Sequence, residues 1–396
     1  RQVQEVYICA AVRTPFGKAP RGVFKTTRPD DLLAHSLRAL MEKVPGVDKE
    51  LIGDVIVGCA MPEAEQGMNV SRIALLLAGL PKEVPGMTIN RFCSSGVQAV
   101  SLAADKIMLG EADMMIAAGT ESMSLIPMMG HKVVMNPTIF DNEHVAIAYG
   151  MGMTAEKVAL QWKVSREEQD LFALNSHKKA CTAIEKGEFN EEIIPYKLEE
   201  TFPSEVLGTV RTQSKLIKND EGPRLDTTIE ALNKLKPVFS AKGGVTAGNS
   251  SQMSDGAAAV FLASEKAVKK YNLKPLAKFV SFAVAGVPPE IMGIGPKEAI
   301  PKVLKQAGVN IQDVGWIELN EAFAAQALAV IKDLGLNPEC VNPLGGAIAL
   351  GHPLGATGAI RTATLVHAMR RHNKKYGLVT MCIGTGMGAA GLFERL

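Results

Sequence analysis

The 396-residue chain predicts an α/β fold made of two similar halves with a segment inserted into the first of them. Three observations carry this reading. Short apolar runs bounded by turn residues alternate with amphipathic helical stretches, the pattern of parallel-dominated sheets covered by helices. The alternation occurs twice. GVDKELIGDVIVG (46–58) resembles GVNIQDVGWIELN (308–320), and GEADMMIAAGTESM (110–123) holds the place of KKYGLVTMCIGTGM (374–387). Between the copies, residues 119–245 break the rhythm into shorter helices and loops.

In chain order, Val3–Ala11 reads as a strand. A helix at Asp30–Val44 follows, with Asp30 as its N-cap and Leu33, Leu37, Leu40 and Met41 at helical spacing. A strand at Asp54–Cys59 leads to a helix at Ser71–Gly79. Then come a strand at Met87–Arg91, a helix at Ser94–Leu109 and a strand at Asp113–Ala118. The inserted region carries helices at Thr154–Trp162 and Glu167–Lys186. After a strand at Ala257–Leu262 the alternation resumes with a strand at Ala277–Ala285 and a helix at Pro296–Ala307. A strand at Gly315–Leu319 and helices at Ala322–Leu334 and Ala359–Arg371 follow. Strands at Tyr376–Ile383 and Gly388–Glu394 close the chain.

Composition excludes several classes of function. Lys plus Arg number 43 against 41 Asp plus Glu, so the chain carries no polyanion-binding charge. Aromatic residues at 5% argue against stacking platforms for single strands. The best apolar run, Ile73–Leu80, falls far short of the ~20 residues of a spanning helix. Gln2–Ala11 reads as a strand and not as a secretory leader. The six cysteines are scattered, without C-x-x-C or a Cys/His spacing suited to zinc, so a reducing compartment fits and a metal site does not.

Five segments hold the candidate chemistry. Cys93, in TINRFCSSGVQAV, sits where a strand ends and a small-residue helix begins; the helix dipole and free N–H groups there favour a thiolate. A buried structural cysteine fits the position equally well. His352, in GGAIALGHPLGATGA, precedes Pro353, which turns it out of helical geometry and opens the next helix. A neutral imidazole at a helix N-terminus suits a general base; a structural glycine turn is the alternative. Cys382 precedes GTGMGAA, which mimics a dinucleotide fingerprint but leads into a strand at the chain's end and not a βαβ unit. Its glycines can instead present backbone N–H groups to an oxyanion, while Cys382 reads equally as a core residue. Asn320 and Glu321 follow an apolar strand at the sheet's carboxyl edge, as site residues or as a plain helix cap. GGVTAGNSSQMSDGAAA (243–259) is a polar, glycine-rich turn open to an amide or a phosphate.

Together NRFCSSG, TAGNSS…DGAAA, NEAFAAQ, GGAIALGHPLGATGA and CIGTGMG, in this order from about Val6 to Leu396, resemble the thiolase family. The resemblance implies two α/β halves, each a five-stranded mixed sheet, layered αβαβα around two central helices. Residues 1–118 with 246–269 would form the N-terminal half, 270–396 the C-terminal half, and 119–245 a loop domain covering coenzyme A. The implied activity is reversible thiolysis of a 3-oxoacyl-CoA to acetyl-CoA and a shortened acyl-CoA, with coenzyme A as co-substrate and no permanently bound cofactor. Cys93 would be the acylated nucleophile, His352 its base and Cys382 the second acid/base. Asn320, through a water, and His352 would form one oxyanion hole; the N–H groups of Cys93 and Gly384 would form the other. Ser251 and Ala247 match the pantetheine contact, with Met151, Met292 and Phe323 lining the pocket. The stretch 211–242 holds seven basic and four acidic residues, among which Arg224, Lys215 and Lys218 are candidates for the coenzyme A phosphates.

Acetoacetyl-specific members carry His-Met-Gly where this chain reads Gly150-Met151-Gly152. That favours a degradative enzyme of longer acyl range over a biosynthetic acetoacetyl-CoA thiolase. A ketosynthase-type condensing enzyme would need His or Asn where Cys382 stands, and a non-catalytic lipid carrier would lack the full Cys/His/Cys set. The resemblance further implies a homodimer or homotetramer, acting in a bacterial cytoplasm or an organelle matrix, with a β-oxidation multienzyme complex as a possible partner.

Overall fold

The computed structural model describes residues 3–141 and 143–396. Gln2, where the expected opening strand begins, lies outside the described residues. The first half runs β1 (Val6–Arg13), β2 (Gly17–Lys18), α1 (Pro29–Glu42), β3 (Val55–Gly58), α2 (Val70–Leu77), β4 (Gly86–Ile89), α3 (Ser95–Met108) and β5 (Met114–Ser122). The intervening segment holds α4 (Met151–Gln161), α5 (Arg166–Glu185), the hairpin β6 (Tyr196–Pro203) and β7 (Val210–Ile217), and α6 (Ile229–Asn233). Then follow β8 (Ser254–Ser264), α7 (Glu265–Lys270), β9 (Ala277–Gly286), α8 (Gly295–Ala307), β10 (Val314–Leu319) and α9 (Ala324–Leu334). The chain ends on α10 (Ala347–Leu350), α11 (Leu354–Arg371), β11 (Tyr376–Ile383) and β12 (Met387–Arg395).

The sheet order makes the internal repeat explicit. It reads β10-β11-β12-β9-β1-β8-β5-β3-β4, a near-palindrome in which β9, β10, β11 and β12 repeat β1, β3, β5 and β8. Each half mixes parallel pairs (β3 with β4 and β5; β10 with β11) with antiparallel ones. The counterpart of β4 is reduced to one parallel bridge, Ile317 to Val341. The two resembling segments each open on a 3-10 turn, Lys49–Leu51 and Ile311–Asp313, before β3 and β10. The halves are continuous in hydrogen bonding: β1 and β9 pair antiparallel over Val6–Ile8 and Ala277–Phe279. β5 and β8 are buried at every position, as strands covered on both faces must be.

Between the halves lie α3 and α11, whose residues pack on strands of both. They cross at glycine. A Cβ on Gly358 would stand 2.1 Å from the Val97 nitrogen, and one on Gly96 would stand 2.4 Å from the Ala359 nitrogen. No side chain fits between these backbones, so Gly358→Ala must drive the helices apart. We expect a loss of about 1–3 kcal/mol, the usual cost of overpacking, or more, because backbone and not a flexible side chain must yield. Urea denaturation checks this; an unchanged midpoint would show that the crossing is loose.

Three expectations need correcting. Asp30 does not cap α1: Arg28 is the N-cap, Pro29 opens the helix, and Asp30 pairs with Arg28 at 3.0 Å. α11 starts at Leu354, directly after His352-Pro353, and not at Ala359. The inserted segment also contains the exposed β6–β7 hairpin, which its sequence did not suggest.

The insertion is pinned to the core by buried charge. Arg13, at the end of β1, bonds Glu192 at 2.5 Å through Nε and Asp220 at 2.8 and 3.0 Å through its two Nη atoms. Thr364 of α11 donates to the same Glu192 oxygen at 2.8 Å. Burial opposes the Arg13 charge, but the Asp220 and Glu192 carboxylates outweigh it and hold the guanidinium firmly protonated.

Candidate active site

Cys93 lies in a 3-10 turn, Phe92–Ser94, that hands over to α3 and packs against both α11 and β11. Phe92 takes a φ of +43°, the bend that lifts the cysteine out of the β4 line. The sulfur is buried, and two backbone N–H groups, those of Gly384 and of Cys93 itself, point at it. Burial nonetheless pushes its pKa up to about 11; the two N–H groups lower it and the Glu121 carboxylate raises it. The helix terminus therefore does not make a resting thiolate, contrary to the expectation from position. Burial outweighs the dipole, and a base must take the proton.

His352 supplies an imidazole in the right state. It is buried beside the N-terminus of α11, and burial, with the Arg361 charge adding to it, lowers its pKa to about 3, so the ring is neutral. Its Nδ1 lies 2.6 Å from Thr357 Oγ1 and its Nε2 lies 3.3 Å from Asn320 Nδ2. Asn320 is no helix cap: α9 begins at Ala324 with Phe323 as N-cap. Its Oδ1 is buried without a partner. Glu321 turns away and accepts from Ser176, Asn342 and the Ile348 N–H at 2.7–3.2 Å, fixing the loops behind the site.

Cys382 stands one residue from the end of β11, fully buried. Burial raises its pKa first, and ionisation of Cys93 would raise it further, which places the two sulfurs within electrostatic reach. The tight turn that follows, with Thr385 and Gly386 at positive φ, brings the Gly384 N–H back to Cys93.

From Cys93 a cavity of about 500 Å³ opens past Met61, Met128, Met135, Ile147 and Met151, with Gly384 at its floor. Methionine and other apolar groups line most of it, an adaptable wall for an alkyl chain. Met151, Met292, Phe323 and Cys382 share one apolar cluster. Ser251 joins this region through its N–H to the Ala322 carbonyl at 2.9 Å, and Ala247 is exposed on the loop before it. Lys215, Lys218 and Arg224 are exposed and do not line the cavity; Arg224 faces Asp226 at 3.6 Å.

Several site residues escaped the sequence reading. Lys132 is the cation that lines the cavity. Phe239 stacks edge-on against Phe323 at 6.2 Å, with Gly152 beneath it. Glu121, fully buried, holds the cavity wall and α11 together by accepting from the N–H groups of Ala60, Met61 and Gly355 at 2.8–3.3 Å. Only Thr357 had a visible signal, a hydroxyl one turn into the helix behind the histidine.

Known proteins are similar to this chain along its whole length. Residues 6–266 match the model of the thiolase N-terminal domain and residues 273–395 that of the thiolase C-terminal domain. A 3-ketoacyl-CoA thiolase of Bacillus subtilis is 52% identical over 99% of this chain and 100% of its own. The crystal structure of human mitochondrial 3-ketoacyl-CoA thiolase superposes with a TM-score of 0.89 at 39% identity, covering both chains fully. That of the Bacillus anthracis acetyl-CoA acetyltransferase does so at 0.88 and 39%, again over the whole of both chains.

Proposed function

The chain belongs to the thiolase family, and from that premise we propose how its residues divide the reaction. The enzyme is an acyltransferase that cleaves a 3-oxoacyl-CoA with coenzyme A, giving acetyl-CoA and a shortened acyl-CoA. The observation that carries the assignment is the buried Cys93 sulfur at the inner end of the apolar cavity, met by two N–H groups and close to a second thiol.

The neutral His352 Nε2 takes the Cys93 proton, and the sulfur attacks the 3-oxo carbon. The N–H groups of Cys93 and Gly384 receive the oxygen of that carbon. The carbon–carbon bond then breaks, and the acetyl-CoA enolate is left with its oxygen toward Asn320 and the newly protonated His352. Such donors are each worth about 2.7–4 kcal/mol in the transition state. Cys382 protonates the enolate carbon, then takes the proton of incoming coenzyme A as the coenzyme A sulfur displaces Cys93 from the acyl group, and His352 returns its proton to the departing Cys93 sulfur. Raised thiol pKa values suit this work, because Cys382 must hold its proton until the enolate forms.

Residues 119–245 form the cover over coenzyme A, with Ser251, Ala247, Met292, Phe323 and Phe239 along the pantetheine. Lys215, Lys218 and Arg224 are the phosphate candidates within it. The exposed edge of β4 serves a homo-oligomer, and the enzyme works in a reducing compartment of lipid degradation, with a β-oxidation complex as the partner to test.

The degradative subtype rests on Gly150. It lines the cavity, and a Cβ built there meets nothing within 4 Å, so the space is left to substrate. We expect 3-oxooctanoyl-CoA to be turned over at least as well as acetoacetyl-CoA, and Gly150→His to shift the preference toward acetoacetyl-CoA. Steady-state thiolysis of both substrates checks it. Strict acetoacetyl preference in the wild type would favour the biosynthetic reading, and cleavage of neither would overturn thiolysis itself.

A further inference from the structure

We propose that Thr357 is a positioning residue that fixes the tautomer of His352, holding a proton on Nδ1 and leaving Nε2 unprotonated. The inference rests on His352 being the base and adds what makes it one.

A hydroxyl has a single proton to give. Thr357 Oγ1 lies 3.2 Å from the Pro353 carbonyl, which can only accept, and 2.6 Å from His352 Nδ1. With the hydroxyl proton on the carbonyl, the short contact to the ring is a hydrogen bond only if Nδ1 carries hydrogen. The far side of the ring agrees: Asn320 Nδ2, a donor, faces Nε2 at 3.3 Å and needs a lone pair there. The backbone holds the ring in this bracket, because the His352 N–H points at the Gln252 carbonyl at 3.1 Å and Ser254 Oγ at 3.2 Å. All of these groups but Gln252 are buried, so water cannot substitute for a lost partner.

The consequence is directional. With the opposite tautomer, Nε2 would present a proton to the nucleophile and could not accept one. With Nδ1–H held by Thr357, Nε2 takes the thiol proton, and both N–H groups of the resulting imidazolium have acceptors: Thr357 on one side, the substrate oxygen on the other.

The test uses Thr357→Val, which keeps shape and removes the oxygen, and Thr357→Ser, which keeps the oxygen. In full-length enzyme labelled with ¹⁵N-histidine, the ring signals of His352, assigned by their loss in His352→Gln, are expected to show a bare Nε2 and a protonated Nδ1. In Thr357→Val that pattern is expected to be lost, with kcat falling by about 10- to 100-fold, the scale known for hydrogen-bond partners that orient metal-bound histidines, and KM nearly unchanged. Thr357→Ser is expected to restore both. A protonated Nε2 in the wild type, or a Val variant that keeps tautomer and kcat, overturns the proposal. The wild-type spectrum decides even if the Val variant fails to fold. Acyl-enzyme formation surviving in His352→Gln would instead overturn the base assignment, a separate outcome from the tautomer reading.

Discussion

Replacing Cys93 with Ala is expected to lower thiolysis by roughly four orders of magnitude or more, the scale seen when a covalent nucleophile is removed from a preorganised site. No other group takes its place. Cys382 is held as a neutral thiol chiefly by burial, and the N–H groups of Gly384 and of residue 93 converge on the Cys93 sulfur and not on Cys382. The direct readout is mass spectrometry after incubation with acetyl-CoA. The peptide bearing Cys93 is expected to gain one acetyl group in the wild type and none in Cys93→Ala. Acetylation that persists elsewhere with undiminished turnover would mean the nucleophile has been misassigned. Because the resting thiol lies near pKa 11 and the imidazole near 3, proton transfer between them is uphill in the free enzyme. The acyl-enzyme should form only as substrate oxygen enters the N–H pair.

The largest expected loss of stability follows Arg13→Met. The guanidinium is buried between Glu192 and Asp220 and lies against the rings of Phe16 and Phe189 at 5.1 and 5.0 Å. Removing it strands two carboxylates away from water, and breaking a buried pair in this way costs about 3–5 kcal/mol. A triple change, Arg13→Met with Glu192→Gln and Asp220→Asn, removes the stranded charges and is expected to recover most of that loss. Urea denaturation of the three proteins measures both steps. A single variant within about 0.5 kcal/mol of the wild type, the range of an ordinary surface change, would show that the cluster is solvated.

The same cluster marks where the sequence stops being legible. Arg13 sits in AAVRTPF, which reads as a strand running into a loop, and its partners lie 179 and 207 positions away. No local pattern announces such a contact. The chemistry was readable for the opposite reason: Cys93, His352 and Cys382 each stand at a junction where an apolar period stops and small residues begin, and chain reversals at sheet edges are where sites form. The repeat was readable from the order of elements, which the sheet reproduces strand for strand apart from the shrunken counterpart of β4. The β6–β7 hairpin was not, because most of its residues face solvent and only Tyr196, Leu198 and Ile217 turn toward the core, too short an apolar alternation to stand out. The protonation state of Cys93 was misjudged on similar grounds: helix position is written in the sequence, whereas desolvation depends on everything packed around the sulfur.

The glycine crossing of α3 and α11 separates what evolution can vary from what it cannot. Nucleophile and base ride on the starts of two helices whose main chains touch, so their spacing is a property of the scaffold and not of adjustable side chains. The wall that meets the alkyl tail comes largely from described residues between Met128 and Met151, in the insertion and away from that crossing. Grafting that wall from a relative of different preference should transplant substrate choice while leaving the acylation machinery intact, which makes the fold a fixed reactor with an exchangeable mould.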